Sequence, residues 1–294
     1  MLRRSLVVLG LIAMFATTAS AQTVDDIIAK SVAARGGMDK IKAIQTVRMT
    51  GKMTVGPGFE APVTMEMRRP NQTKMQFTLQ GMTGTQAYDG KNGWVVMPFT
   101  GKKEPEAMSD DDKKEIADEA DIDGPLVDYK SKGNIVELLG KEPIEGTDAY
   151  KLKVTLKSGT VRTIYIDADS YLEIKSEGKR TVRGTEMEFE GTIGDYKPVE
   201  GVLFPFSLEN SVKGHAEKQK ITFEKVEINP TLSADNFTMP AKSDSAAAAT
   251  AKVGDSKAEV KAEPAKADSK TAAANASTKT TTTKKSAKKP ATKP

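Results

Sequence analysis

From residue 47 the chain alternates. Val47, Met49, Gly51, Met53 and Val55 are separated by Arg48, Thr50, Lys52 and Thr54, the period-two pattern of a strand with one apolar and one polar face. Gly56-Pro57-Gly58 reads as a turn. Val63, Met65 and Met67 then alternate with Thr64, Glu66 and Arg68 up to Pro70-Asn71, and Met75, Phe77 and Leu79 alternate with Lys74, Gln76 and Thr78. Three one-sided strands joined by short turns predict an antiparallel meander. The alternation returns in Tyr150, Leu152, Val154 and Leu156, set against Lys151, Lys153, Thr155 and Lys157. Further strands are expected over 160–167, 172–179, 187–196, 204–212 and 220–229.

Helical spacing brackets these strands. Val24, Ile27, Ile28 and Val32 follow Asp25 and Asp26 and stop at Gly36-Gly37, predicting an amphipathic helix. A second short helix is expected over 38–44. Between the strand groups, Ser109 stands as an N-cap with Asp112 in the capping-box position, predicting a helix over 109–120. Met108, Ile116, Ala117 and Ala120 give it one weakly apolar face. The expected fold class is mainly β with a few helices, because a sheet with one apolar face must have that face covered. The central helix suits a movable lid.

Composition adds a destination. Met1-Leu2-Arg3-Arg4, the apolar run 6–16 and Ala19-Ser20-Ala21 read as a secretory signal peptide over 1–21, cleaved before Gln22. The run is shorter than the ~20 residues a bilayer requires, so a periplasmic location is expected. The chain has no cysteine, which removes both disulfides and a lipidated mature start. The net charge of +4 is unevenly placed. Beyond residue 240 there are twelve lysines against five acids, a net +7. With Arg3 and Arg4 also set aside, residues 22–240 carry −5. The body, 22–240, is therefore mildly acidic, and the Lys/Ala/Thr-rich 241–294 is expected to be a disordered tail. That tail reads either as a contact to anionic envelope surfaces or as a solubilising extension. An acidic body without an aromatic-laced basic patch makes nucleic acid an unsuitable partner.

Little chemistry is on offer. The single histidine, His215, sits in a turn-like Lys-Gly-His-Ala-Glu stretch, so no catalytic residue, metal site or cofactor is expected. Carboxylates such as Asp121, Asp123 and Asp128 are plentiful, but no pair stands out as acid and base. The unusual feature is methionine: Met49, Met53, Met65, Met67 and Met75, with Phe77, share the apolar faces of the first three strands. Such a stripe serves either as the adaptable wall of a ligand cavity or as ordinary core beneath the helices.

Arg68-Arg69-Pro70-Asn71, then Tyr88-Asp89-Gly90-Lys91 with Trp94 and Pro98-Phe99, and finally Phe237-Thr238-Met239-Pro240 together resemble the outer-membrane lipoprotein-sorting proteins, the LolA-like periplasmic carriers. The resemblance spans 22–240 in layout and rests mainly on 65–99 and 237–240. It implies an unclosed β-barrel, a curved antiparallel sheet lidded by helices, whose interior receives the acyl chains of lipids or lipoproteins bound for the outer membrane. Inner- and outer-membrane sorting components would be its partners. Trp94 and Phe99 would join the methionines in lining the cavity. Arg69 would latch the lid by hydrogen bonds to lid backbone; on the residues alone it is equally a strand-end surface charge. Where the family carries cavity aromatics after the Arg-Pro pair, this chain has Thr73 and Met75. A periplasmic sensor or envelope-assembly subunit on the same fold is the alternative use, and a carboxylate hydrolase a more distant one.

Overall fold

The computed structural model describes residues 22–241, apart from 56–57, 183–184 and 216. The expected signal peptide over 1–21 and the tail beyond 241 lie outside the described residues, as does most of the Gly56-Pro57-Gly58 turn. Among the described residues no helix is long and apolar enough to cross a membrane.

Helix α1 (Val24–Ala34) begins at a reciprocal capping box: Thr23 Oγ1 accepts from the Asp26 backbone N–H at 3.2 Å, and the Asp26 carboxylate accepts from the Thr23 N–H at 3.1 Å. It ends in a Schellman arrangement, with Gly37 N–H donating to the Val32 carbonyl at 2.9 Å and Gly36 N–H to that of Ala33 at 3.1 Å. Gly36 has φ of 123°, and a Cβ there would meet the Gly201 carbonyl oxygen at 2.4 Å. Only glycine satisfies both demands. Helix α2 (Met38–Ala43) follows directly.

The strands form two meanders. The first is β1 (Thr46–Val55), β2 (Phe59–Arg68), β3 (Gln72–Leu79), β4 (Met82–Tyr88), β5 (Gly93–Met97) and β6 (Lys102–Ala107). A connection carrying α3 (Asp110–Glu119) and α4 (Tyr129–Lys132) leads to the second: β7 (Ile135–Ile144), β8 (Thr147–Thr155), β9 (Val161–Asp167), β10 (Glu173–Val182), β11 (Thr185–Val199), β12 (Val202–Val212) and β13 (Lys218–Ile228). All thirteen make one antiparallel sheet in the order 6-5-4-3-2-1-13-12-11-10-9-8-7, with β1 against β13 at its centre and β6 and β7 as its edges. The stretches around Met82, Gly93, Lys102 and Ile135 were not expected to be strands, nor 129–132 a helix.

Register carries one face across the whole sheet, because directly opposed residues point the same way. Met49 stands opposite Met65, and Met65 opposite Met75. In the other direction Met49 faces Val226, Met53 faces Ile221, and Ile221 faces Leu208. Ile27, Ile28, Val32 and Ile41 of the two helices share a single buried cluster with Met49 and Val63 from one wing and Leu152, Val154 and Ile164 from the other. Strands so far apart in the sheet reach the same helices only if the sheet curls around them. The sheet is therefore an unclosed barrel with α1 and α2 on its inner face.

Gly51 sits at the centre of that curl. A bulge at Thr50/Gly51 brings β13 so close that a Cβ on Gly51 would meet the Thr222 carbonyl oxygen at 2.1 Å and Phe223 Cα at 2.6 Å. On the outer face, the buried Trp94 donates Nε1–H to the Phe237 carbonyl at 2.8 Å, and Phe237 itself is fully buried. The closing segment is thereby fastened to β5.

Candidate functional site

Arg69 follows the last residue of β2, and its guanidinium reaches two elements at once. Nε donates to the Ile44 carbonyl at 2.6 Å and Nη2 to that of Ile41 at 3.1 Å; the Ile41 carbonyl also accepts from the Ile44 N–H at 3.3 Å at the end of α2. Nη1 donates to Asp123 Oδ2 at 3.0 Å, and Nη2 to Asp123 Oδ1. Asp123 lies in the connection between α3 and α4 and is only 1% exposed. Lys42 adds an ion pair to Asp123 at 2.6 Å and another to Asp128 at 2.7 Å. Arg35 donates to the Asp123 carbonyl at 2.9 Å, and Lys132 pairs with Asp121. Burial pushes the Asp123 carboxyl up, but hydrogen bonds from Arg69 and Lys42 outweigh it and hold the group at about 2. The expectation for Arg69 thus changes in one respect: its backbone partners are in α2, and its hold on the α3–α4 connection is through a carboxylate side chain. Nothing in the sequence separated Asp123 from its acidic neighbours.

The methionines divide. Met49 and Met53, 7% and 2% exposed, are packed core beneath α1 and α2 rather than the wall of an open cavity. Met65, Met75 and Phe77 are half-buried at the margin of that core, and Met67 is half-buried opposite Val47 and Thr73. Phe99 joins them: its ring lies 5.3 Å from that of Phe77, and both crowd Gly84, which faces Phe77 across the β3–β4 pair. Trp94 does not. Opposite Ala87, which in turn faces Lys74, it belongs to the outer face, which corrects the expectation that it lines the cavity. His215 is an exposed turn residue.

Helix α3 crosses the mouth of the curled sheet. Ser109 caps it as expected, and Ile116 and Ala120 bury themselves against Tyr88, flanked by Met108 and Ala117. This small cluster is separate from the main core. The opposite side of the helix reaches the other wing: Glu115 pairs with Arg180 of β10, and Asp118 accepts from Ser158 Oγ at 2.9 Å and Thr160 Oγ1 at 2.7 Å. Between α3 and β9–β11 lies a polar cleft of about 670 Å³ whose lining includes Arg162, Arg180, Ser176 and Asn210. An apolar groove of about 600 Å³ runs between α1 and α4, lined by Ile28, Val32, Leu126 and Tyr129 among others. Neither is lined by the methionines of β1–β3.

One further acid stands out. Burial pushes the Glu173 carboxyl up to about 7, against the pull of Arg35 and Arg162. A raised carboxyl contributes stability at pH values below its ordinary range and loses it as pH rises through about 7. Glu173→Gln is therefore expected to raise the urea midpoint at pH 8 and leave it nearly unchanged at pH 5; the same shift at both values would mean that the charge is not the cause.

No protein-family model matches the sequence, and neither does any curated protein. Solved structures do. The chain is similar to a domain classed as an outer-membrane lipoprotein-sorting protein from Vibrio parahaemolyticus, with a TM-score of 0.50 and 13% identity over 73% of this chain and 97% of that one. It is equally similar to a LolA superfamily protein from Nitrosomonas europaea, with a TM-score of 0.50 and 16% identity over 74% and 98%. The architecture is that of these proteins, an unclosed antiparallel barrel wrapped around helices, and the resemblance carried by 65–99 and 237–240 holds at the level of fold.

Proposed function

We propose that this protein is a periplasmic binding protein, not an enzyme, that holds the acyl chains of a lipid or lipoprotein between its sheet and its helices and hands them on toward the outer membrane. The observation that carries this reading is the lid. Helix α3 closes the sheet through an apolar cluster of a few side chains that is not continuous with the core, and Tyr88 of that cluster shares its sheet face with the half-buried Met65, Met75 and Phe77. Each methylene removed from water is worth about 0.8 kcal/mol. An acyl chain burying eight of them gains roughly 6 kcal/mol, more than a contact centred on Ile116 and Ala120 supplies. Such a lid yields to a chain and closes again once the chain leaves. Flexible thioethers at the margin of the core can repack around chains of differing shape.

In this reading Arg69 and Asp123 set how readily the α3–α4 connection lifts. The two carboxylates beside Asp123 are each ion-paired, Asp121 with Lys132 and Asp128 with Lys42, which suits a fastening better than a hydrolytic acid and base.

Native mass spectrometry and lipid extraction on the full chain, expressed with export and purified from the periplasm, test the reading. Acyl ligand at about one per protein is expected, and it should fall when Phe77→Asp or Met75→Asp places a charge on the inner face. A protein that arrives empty and takes up no added acylated peptide would sink the carrier reading and favour a sensor or assembly role.

A further inference from the structure

We infer that Arg162 and Arg180, on the inner face of β9 and β10, form a subsite for the phosphate group of an anionic amphiphile, and that Glu115 of α3 occupies it in the closed protein. This rests on the carrier reading and adds the class of ligand.

Arg162 stands directly opposite Gly178, and Arg180 is two residues along the same strand, so the two guanidinium groups rise from neighbouring positions on one face. No bulky side chain separates their bases: a Cβ on Gly178 would lie 3.6 Å from Arg162 Cγ, in ordinary contact. Ser176 and Gly191, opposed in the β10–β11 pair, continue the shallow floor toward Asn210. Arg180 lies 3.6 Å from the centre of the Phe189 ring, which orients its planar fork. Among the described residues its one ion-pair partner is Glu115.

Arg162 is half-buried, yet among the described residues its guanidinium makes no hydrogen bond and no ion pair. Its charge acts on the carboxyls of Glu115 and Glu173. Of the other acids lining the cleft, Asp111 and Glu119 stand on α3 with Glu115 and form no ion pair with either arginine among the described residues; the rest are engaged elsewhere. Register puts Glu177, Glu186, Glu188 and Glu190 on the outer face, where Lys175, Lys179 and Lys213 pair them. Asp118 is taken by the two hydroxyls of the β8–β9 turn.

Two guanidinium groups with ten donors between them thus share one carboxylate. A phosphate supplies what is missing, because two forks can grip it bidentately. The next positions on the same face are Ile164 and Leu152, fully apolar and buried. A head held at Arg162 and Arg180 therefore leaves its chains pointed at the core. Since Glu115 holds Arg180 from the lid, an arriving phosphate competes with the helix for the same guanidinium, and binding of the head loosens α3.

The test uses the full chain and soluble six-carbon probes below their micelle concentration: dihexanoyl phosphatidic acid, dihexanoyl glycerol and inorganic phosphate, by calorimetry. The expected result is at least a tenfold preference for the phosphatidic acid over the neutral glycerolipid. Arg162→Gln should bring that ratio close to one and Arg162→Lys should leave it intermediate, while Glu115→Gln, by removing the competitor, should tighten the anionic probe several-fold. Equal affinities for the two lipids, or a Glu115→Gln variant that weakens the anionic probe, would overturn the subsite while leaving the carrier intact. Phosphate binding that depends on Arg162, with no uptake of either lipid, would keep the subsite and overturn the carrier reading. Circular dichroism on each variant identifies any that has failed to fold.

Discussion

Arg69→Leu is expected to cost about 3 kcal/mol, the loss typical of removing one partner from a buried ion pair. The guanidinium donates to two carbonyls at the end of α2 and to both oxygens of Asp123, so a leucine removes the Ile44 carbonyl's side-chain donor and leaves a nearly inaccessible carboxylate with Lys42 as its principal counter-charge. Urea unfolding should show a lower midpoint with an unchanged slope, and hydrogen exchange should quicken most over 120–128. Uniform quickening across the sheet would mean that Arg69 supports the fold at large and is no latch. If the latch governs handover, the same variant should retain ligand in a transfer assay or fail to release it.

The latch also predicts an acid limit. Asp123 titrates at about 2 rather than its ordinary 3.8, so its contribution is complete above about pH 4 and fades as pH falls toward 2. The shift corresponds to about 2.5 kcal/mol. In Asp123→Asn that part of the pH dependence should vanish, and a parent-like acid profile would show that other carboxylates carry it.

Gly51→Ala should be at least as damaging, at about 3 kcal/mol, although it adds a single methyl group. The carbonyl of Thr222 and the Cα of Phe223 fill the space a Cβ would occupy, and both are backbone atoms that can retreat only by pulling β13 off β1. Thermal unfolding measures the loss directly. A parent-like melting temperature would show that β13 can give way at this point without cost.

The residues explain how far a reading of the chain could go. Asp25, Asp26 and Gly36-Gly37 mark α1 because helix ends are local chemistry, although its cap, Thr23, emerged only with the structure. The alternation of β1–β3 is legible because one face of each is buried. Strand β6 is not: Lys-Lys-Glu-Pro-Glu-Ala on a sheet edge is mostly exposed on both faces and carries no period. The resemblance implied a cavity position for Trp94, whereas the Asp89 turn, where the carboxylate accepts from the Lys91 and Asn92 N–H groups, precedes a β5 whose register turns Trp94 outward. A slip of one residue there would exchange its faces. Asp123 and Arg162 were invisible for a related reason. One is an acid among acids and the other a cation in a polar strand, and only pairing across the sheet or through the lid gives either a neighbour.

The order of the strands also dictates the order of assembly. Eleven of the twelve pairings join strands consecutive in the chain, and the twelfth joins β1 to β13, with Val47 opposite Ile228. Hairpins close small loops, whereas that last pairing closes one some 180 residues long, at an entropic cost about 3 kcal/mol greater than a tight turn. The two meanders can therefore zip early and independently, and the middle of the finished sheet forms last. A chain emerging with its N-terminus first must keep the bare edge of β1 unpaired until residue 228 arrives, and in that interval the same edge is open to a second copy of the chain.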